Sequence, residues 1–146
     1  MKVTQSGQTS VEAVNLSRKQ KQQLKQKLED LKEGILENIA LKTRMAVDRS
    51  NECESLIKGD DAEVAEKQRT SNAILQEIDM MKSRLGLVER ALFKMKSGHY
   101  GFCEDTEEHI GFERLWAVPW ARYSVSVQEK RERQMREFRG SRRLHA

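Results

Sequence analysis

The chain has 146 residues, of which 34% are charged and 37% hydrophobic, with a single proline and a net charge of +4. That balance suits long solvated helices and excludes a globule built on a large apolar core. No run approaches the roughly 18 apolar residues of a membrane span, and the opening MKVTQSGQTS lacks the apolar stretch of a signal peptide. A cytoplasmic protein with no membrane partner is the expectation. Two cysteines, Cys53 and Cys103, are too few for a disulfide framework and are expected to be reduced, with Cys53 a semi-buried apolar residue. No nucleophile-base pair or glycine-rich phosphate loop is present, so no enzymatic activity is expected.

Residues 1–16 are rich in Ser, Thr and Gln and read as a flexible segment. Ser17 and Gln20 then fit a capping box, so a helix should start at Ser17. Leu24, Leu28, Leu31 and Ile35 follow in alternating steps of four and three, one narrow apolar seam on a charged helix. The repeat loosens at Ile39, Met45 and Ala46. A second run, Ile74, Ile78, Met81, Leu85, Val88, Leu92 and Met95, keeps the rhythm without a break. Neither helix can bury its seam alone, and the short link Ser55–Asp60 makes the two antiparallel. The spacing therefore predicts a coiled coil over 17–96 with its tip near 55–65. Gly34 and Gly86 fall at nearly matching heights in it, where close helix approach is one reading and a tolerated cost the other.

The helical pattern stops at Ser97-Gly98. Residues 97–127 have the layout of a small zinc finger: two short strands, His99–Phe102 and His109–Phe112, around a turn at Glu104-Asp105. A four-thiolate site needs two Cys pairs, each spaced by two residues. Here the four positions hold Cys103, Thr106, Ser124 and Val127, and hydroxyls with a Val methyl make poor ligands for a soft dication. No metal site, zinc or other cofactor is therefore expected. Six of the eight aromatic residues (Tyr100, Phe102, Phe112, Trp116, Trp120, Tyr123) cluster here and are the expected replacement core. A last helix should run from Ser124 to Phe138 through Val125, Val127 and Met135, opening a basic C-terminal segment over 124–146. The fold class is thus mainly α: a long antiparallel coiled-coil hairpin, a finger-like β-hairpin/helix region, and a C-terminal helix.

Charge is polarised along the chain. Asp48 to Glu66 carries a net −5, and Glu129 to Arg143 a net +4. Each segment reads either as a solvated face or as a surface that meets an oppositely charged partner. Asp60 followed by Glu63 also fits a helix N-cap.

The stretch Gly98-His99-Tyr100-Gly101-Phe102-Cys103, Ile110 after the turn, and Arg114-Leu115-Trp116-Ala117-Val118-Pro119 resemble the finger pattern YGxCxxC, I, RLxAxP of the DksA/TraR family of bacterial RNA polymerase regulators. The coiled coil lies where that family has it, and Asp60-Asp61-Ala62-Glu63-Val64-Ala65 is similar to its DxxDxA tip motif, with Glu63 in place of the second Asp. The resemblance implies a monomer that binds RNA polymerase through the secondary channel and modulates initiation with the tip residues Asp60, Asp61, Glu63 and Ala65. The basic helix reads either as a solvated face or as one that rests on polymerase or nucleic acid through Arg131, Arg133, Arg136 and Arg139. Two positions depart from the family's guanosine tetraphosphate (ppGpp) site, Val118 for Arg and Gln128 for Lys, so little ppGpp binding or dependence is expected. Direct DNA binding is not expected. The alternatives are a coiled-coil adaptor or oligomerisation protein, and a nucleic-acid binder that uses the Arg-rich helix.

Overall fold

The computed structural model describes residues 16–55 and 60–144. Four helices follow in order: α1 (Arg18–Ser55), α2 (Asp61–Ser97), α3 (Phe112–Ala117) and α4 (Val125–Leu144). The chain divides into two compact units, Gln22–Tyr100 and the chain on either side of it. Most of residues 1–16, the link at 56–59 and the side chain of Cys53 lie outside the described residues.

The helical hairpin forms as its periodicity requires. Ser17 Oγ accepts from the Gln20 N–H at 3.2 Å while Gln20 Oε1 accepts from the Ser17 N–H at 2.9 Å, which closes the capping box at the start of α1. With 38 residues at about 1.5 Å each, α1 is roughly 57 Å long. Leu24, Leu28, Ile35, Ile74, Ile78, Val88 and Ala91 form the buried seam, with Leu31, Met81, Leu85, Leu92 and Met95 half-buried beside them. Each fully buried Leu or Val contributes about 1.5–3 kcal/mol. Lys32 pairs with Glu89 at 3.1 Å, and Lys42 pairs with Glu77. Ten residues up α1 thus correspond to twelve down α2, which fixes the antiparallel register.

Past Ile35 the seam frays: Leu41, Met45 and Val47 are 56%, 41% and 53% exposed. Gly34 and Gly86 do not mark a close approach, because a methyl group added at either would meet nothing within 4 Å. Both are plain helix-weakening residues. At its C-terminus α2 ends on Gly98, whose φ of 80° is the left-handed cap; Gly98 and His99 both donate their N–H groups to the Lys94 carbonyl.

The finger unit departs from expectation in three ways. The two strands reduce to one antiparallel bridge, Phe102 to His109, supported by Ile110 N–H to Gly101 O and Cys103 N–H to Glu108 O, each 2.8 Å. The turn holds Glu107 at φ 57° and returns too soon for a ladder to grow. The core is mainly aliphatic: Leu115, Pro119 and Cys103 are almost wholly buried, with Ile110 and Leu16 also buried, and of the six aromatics Tyr100 alone is buried. Phe102 and Trp116 stay 36% and 45% exposed and stack at the surface, Phe102 on His109 at 4.3 Å and Trp116 on Phe112 at 5.7 Å. Leu16 is ordered, not flexible. Its Cδ1 lies so near Gly101, at φ 91°, that a Cβ there would come within 3.0 Å of it.

The short helix α3 was not anticipated, although its signals are local: Gly111 before it, Glu113 in its first turn and Pro119 two residues past its end. Helix α4 runs six residues beyond the expected Phe138, to Leu144, and its apolar stripe is not buried. Val125 and Met135 are 51% and 66% exposed, and Val127 is half-buried.

Candidate functional site

The hairpin end at α2 presents its acids to solvent. Asp60 occupies the N-cap position with φ −59° and ψ 139°, yet its side chain makes no cap hydrogen bond. The backbone carbonyl of Asp60 takes the N–H groups of Glu63 and Val64 at 3.0 and 3.2 Å, so the helix starts without help from the carboxylate. The N-cap reading of Asp60 and Glu63 is therefore corrected: local backbone geometry closes the turn. Asp61 and Glu63 lie in the first helical turn, where negative charge opposes the helix dipole. Glu63 pairs with Lys67 at 2.9 Å, one turn on. Asp60, Asp61, Glu63 and Ala65 are all exposed.

At the finger, Cys103 is 1% exposed. Burial pushes its thiol up, but hydrogen bonds from the Thr106 side chain and from the backbone of Ser124, Thr106 and Asp105 outweigh that and hold it at about 7. Two of the other ligand positions, Thr106 and Ser124, therefore meet the Cys103 sulfur. Val127, the fourth, is half-buried.

Around this point the turn and the start of α4 are tied by paired charges. Arg122 gives Nε and Nη2 to Glu104 Oε2 at 2.9 and 2.7 Å. Arg131 grips Asp105 with both ends of its fork, Nε to Oδ2 at 2.9 Å and Nη2 to Oδ1 at 2.8 Å. The hydrogen bond from Arg131 holds the Asp105 carboxyl below its usual range, and the same bond raises Arg131. Tyr123 lies between the two arginines, its ring centroid 5.2 Å from the Arg122 guanidinium and 4.2 Å from that of Arg131. Of the four arginines read as outward contacts, Arg131 is thus occupied within the unit, while Arg133, Arg136 and Arg139 are exposed. Nothing in the local sequence signals this pairing, since Asp105 and Arg131 stand 26 residues apart.

Val118 and Gln128, which replace the expected basic pair, are half-buried, and Gln128 donates to Glu132 at 2.8 Å. Among the described residues no helix is long and apolar enough to cross a membrane.

Residues 98–133 match the prokaryotic dksA/traR C4-type zinc finger family. The chain is 48% identical over 60 residues to general stress protein 16O of Bacillus subtilis, covering 41% of this chain and 36% of that protein. It is 41% identical over 61 residues to the RNA polymerase-binding transcription factor DksA of Caulobacter vibrioides, covering 42% and 43%. It therefore spans less than half the length of these curated relatives. The structure of transcription factor DksA2 from Pseudomonas aeruginosa superposes with a TM-score of 0.72 at 22% identity, covering 87% of this chain and 94% of that one, and so shares the fold.

The family match corrects the expectation of a protein without zinc, because the matched region is a finger of the metal-binding C4 type. The donors of this chain do not fit four-thiolate ligation. Cys103 alone supplies a thiolate at the four positions, and among the described residues no group of three or more His, Cys, Asp or Glu could hold a metal. Residues 98–133 thus resemble a finger of the prokaryotic dksA/traR type, and the chain shares the fold of a DksA protein.

Proposed function

We propose that this protein is a transcription regulator that binds RNA polymerase, inserting its helical hairpin into the secondary channel and acting on initiation through Asp60, Asp61 and Glu63, with Ala65 the small residue behind them. The observation that carries this reading is the state of Asp60: its carboxylate stands at the N-terminus of α2 but caps nothing, so its charge is not consumed by the helix it begins. The matched finger supports the same reading, and so does the similarity to the RNA polymerase-binding transcription factor of Caulobacter vibrioides. Two helices of 38 and 37 residues, joined antiparallel, have the reach and slenderness to enter a channel closed to a globular regulator.

Arg133, Arg136 and Arg139 would rest on an acidic polymerase surface, with one copy of the protein per enzyme. At Val118 and Gln128 the charge-assisted phosphate contacts are missing, which favours a regulator with little dependence on ppGpp. Co-purification of the full chain with core RNA polymerase, followed by transcription in vitro from purified components, tests the reading. Binding and a changed yield of initiated transcripts are expected. Failure to bind core enzyme would return the protein to the coiled-coil adaptor reading, and strongly salt-dependent binding to bare DNA would favour the nucleic-acid reading.

A further inference from the structure

Helix α4 is largely exposed among its described side chains. Residues 129–140 are all exposed, and a helix of 20 residues is marginal in water by itself. In its first turns Val127 and Gln128 are half-buried, and Arg131 pairs with Asp105 of the finger turn. The two ion pairs that meet the finger turn differ in character. Arg122–Glu104 is the inner one, with side chains 36% and 18% exposed, and is reinforced by Glu104 N–H to Arg122 O at 3.0 Å. Arg131–Asp105 is the outer one, at 47% and 39%, and it connects α4 itself to the turn. The Arg131 guanidinium is also seated on the Tyr123 ring, so its fork is pre-organised for Asp105. An exposed pair of this kind is screened by salt, whereas the inner pair is screened much less.

We propose that Asp105, Arg131 and Tyr123 form an electrostatic latch that fastens α4 to the finger turn and opens as ionic strength rises, leaving the inner Arg122–Glu104 pair closed. When the latch opens, the helix loosens and the Arg131 guanidinium becomes available to an anionic partner surface. The latch sets Arg131, which orients the helix, apart from the exposed Arg133, Arg136 and Arg139. It does not depend on the polymerase reading.

Amide hydrogen exchange of the full-length protein tests the latch. In dilute buffer, Arg131→Gln and Asp105→Asn should each speed exchange across 128–140 by about two- to fivefold, the scale of an exposed ion pair. The charge exchange Asp105→Arg with Arg131→Asp should restore much of the protection, and Arg133→Gln should change nothing. Raising sodium chloride to about 1 M, where screening acts over about 3 Å, should bring the unaltered protein to the level of Arg131→Gln and leave that variant unmoved. Equal exchange in all forms would overturn the proposal, as would a salt effect that persists in Arg131→Gln. The Cys103 and Ile110 amides, bonded across the finger bridge, report on the fold. If they lose protection together with α4, the pair is a part of the finger core and not a latch.

Discussion

Arg114 of α3 donates from Nε to the carbonyl of Tyr123 at 3.0 Å, which ties the short helix to the residue at the threshold of α4. The contact is part-buried, so the carbonyl has no ready replacement for a charged donor. Arg114→Ala is expected to lower the stability of the finger by about 1 kcal/mol, a value reduced from that of a fully buried charged hydrogen bond. Arg114→Lys should recover only part of it, since an ammonium lacks the planar fork. Urea unfolding followed by tryptophan fluorescence measures both, because Trp116 and Trp120 lie between Arg114 and Tyr123 in sequence. Identical midpoints for the three proteins would show that the bond contributes nothing.

Three glycines of the hairpin, Gly34, Gly86 and Gly98, should respond in opposite directions. Gly34→Ala and Gly86→Ala each place a methyl in open space inside a regular helix and should stabilise by about 0.5–1 kcal/mol. Gly98→Ala forces a side chain into the left-handed cap at φ 80° and should destabilise by about 1 kcal/mol. Thermal unfolding monitored by circular dichroism at 222 nm, the usual helix band, orders the four proteins; a loss of stability in either of the first two variants would mean that the helices meet at that height after all.

At the acidic end, stability and regulation should separate. Because the Asp60 side chain makes no cap bond, Asp60→Ala should cost under about 0.5 kcal/mol, below the usual range for losing an N-cap. Asp60→Asn and Glu63→Gln keep size and polarity while removing charge. Both are expected to fold, to bind polymerase with unchanged affinity, and to lose most of the effect on transcription. Full regulatory activity in both variants would leave the acids without a role beyond the helix dipole.

Guanosine tetraphosphate is expected to change the regulatory effect by less than about twofold, the consequence of two missing charge-assisted phosphate contacts. Val118→Arg combined with Gln128→Lys should raise the response, and Gln128→Lys alone should raise it less. Transcription in vitro with and without the nucleotide, on a polymerase that has no other site for it, measures this. A strong response in the unaltered protein would show that other side chains supply the charge.

What the sequence determined by itself is whatever depends on spacing along one helix or on a local turn. The four-three rhythm from Ile74 to Met95 needs only the 3.6-residue period to declare a buried seam, and the Ser17–Gln20 box closes within one turn. Gly98 ends α2 because no other residue adopts its backbone so freely. The finger motif was likewise legible, and the family match over 98–133 agrees with it. Composition misled at the core of that region, where an aromatic cluster suggested the filling. Leu16, Cys103, Ile110, Leu115 and Pro119 are buried there instead, Tyr100 is the one buried aromatic of the six, and Phe102 and Trp116 stay exposed. Size and polarity do not tell which residue the backbone turns inward. Only the tertiary structure decided that Asp60 leaves its helix uncapped and that Arg131 reaches back 26 residues to Asp105. Both outcomes follow from where the backbone brings side chains together in space, a quantity that neighbours in sequence do not specify.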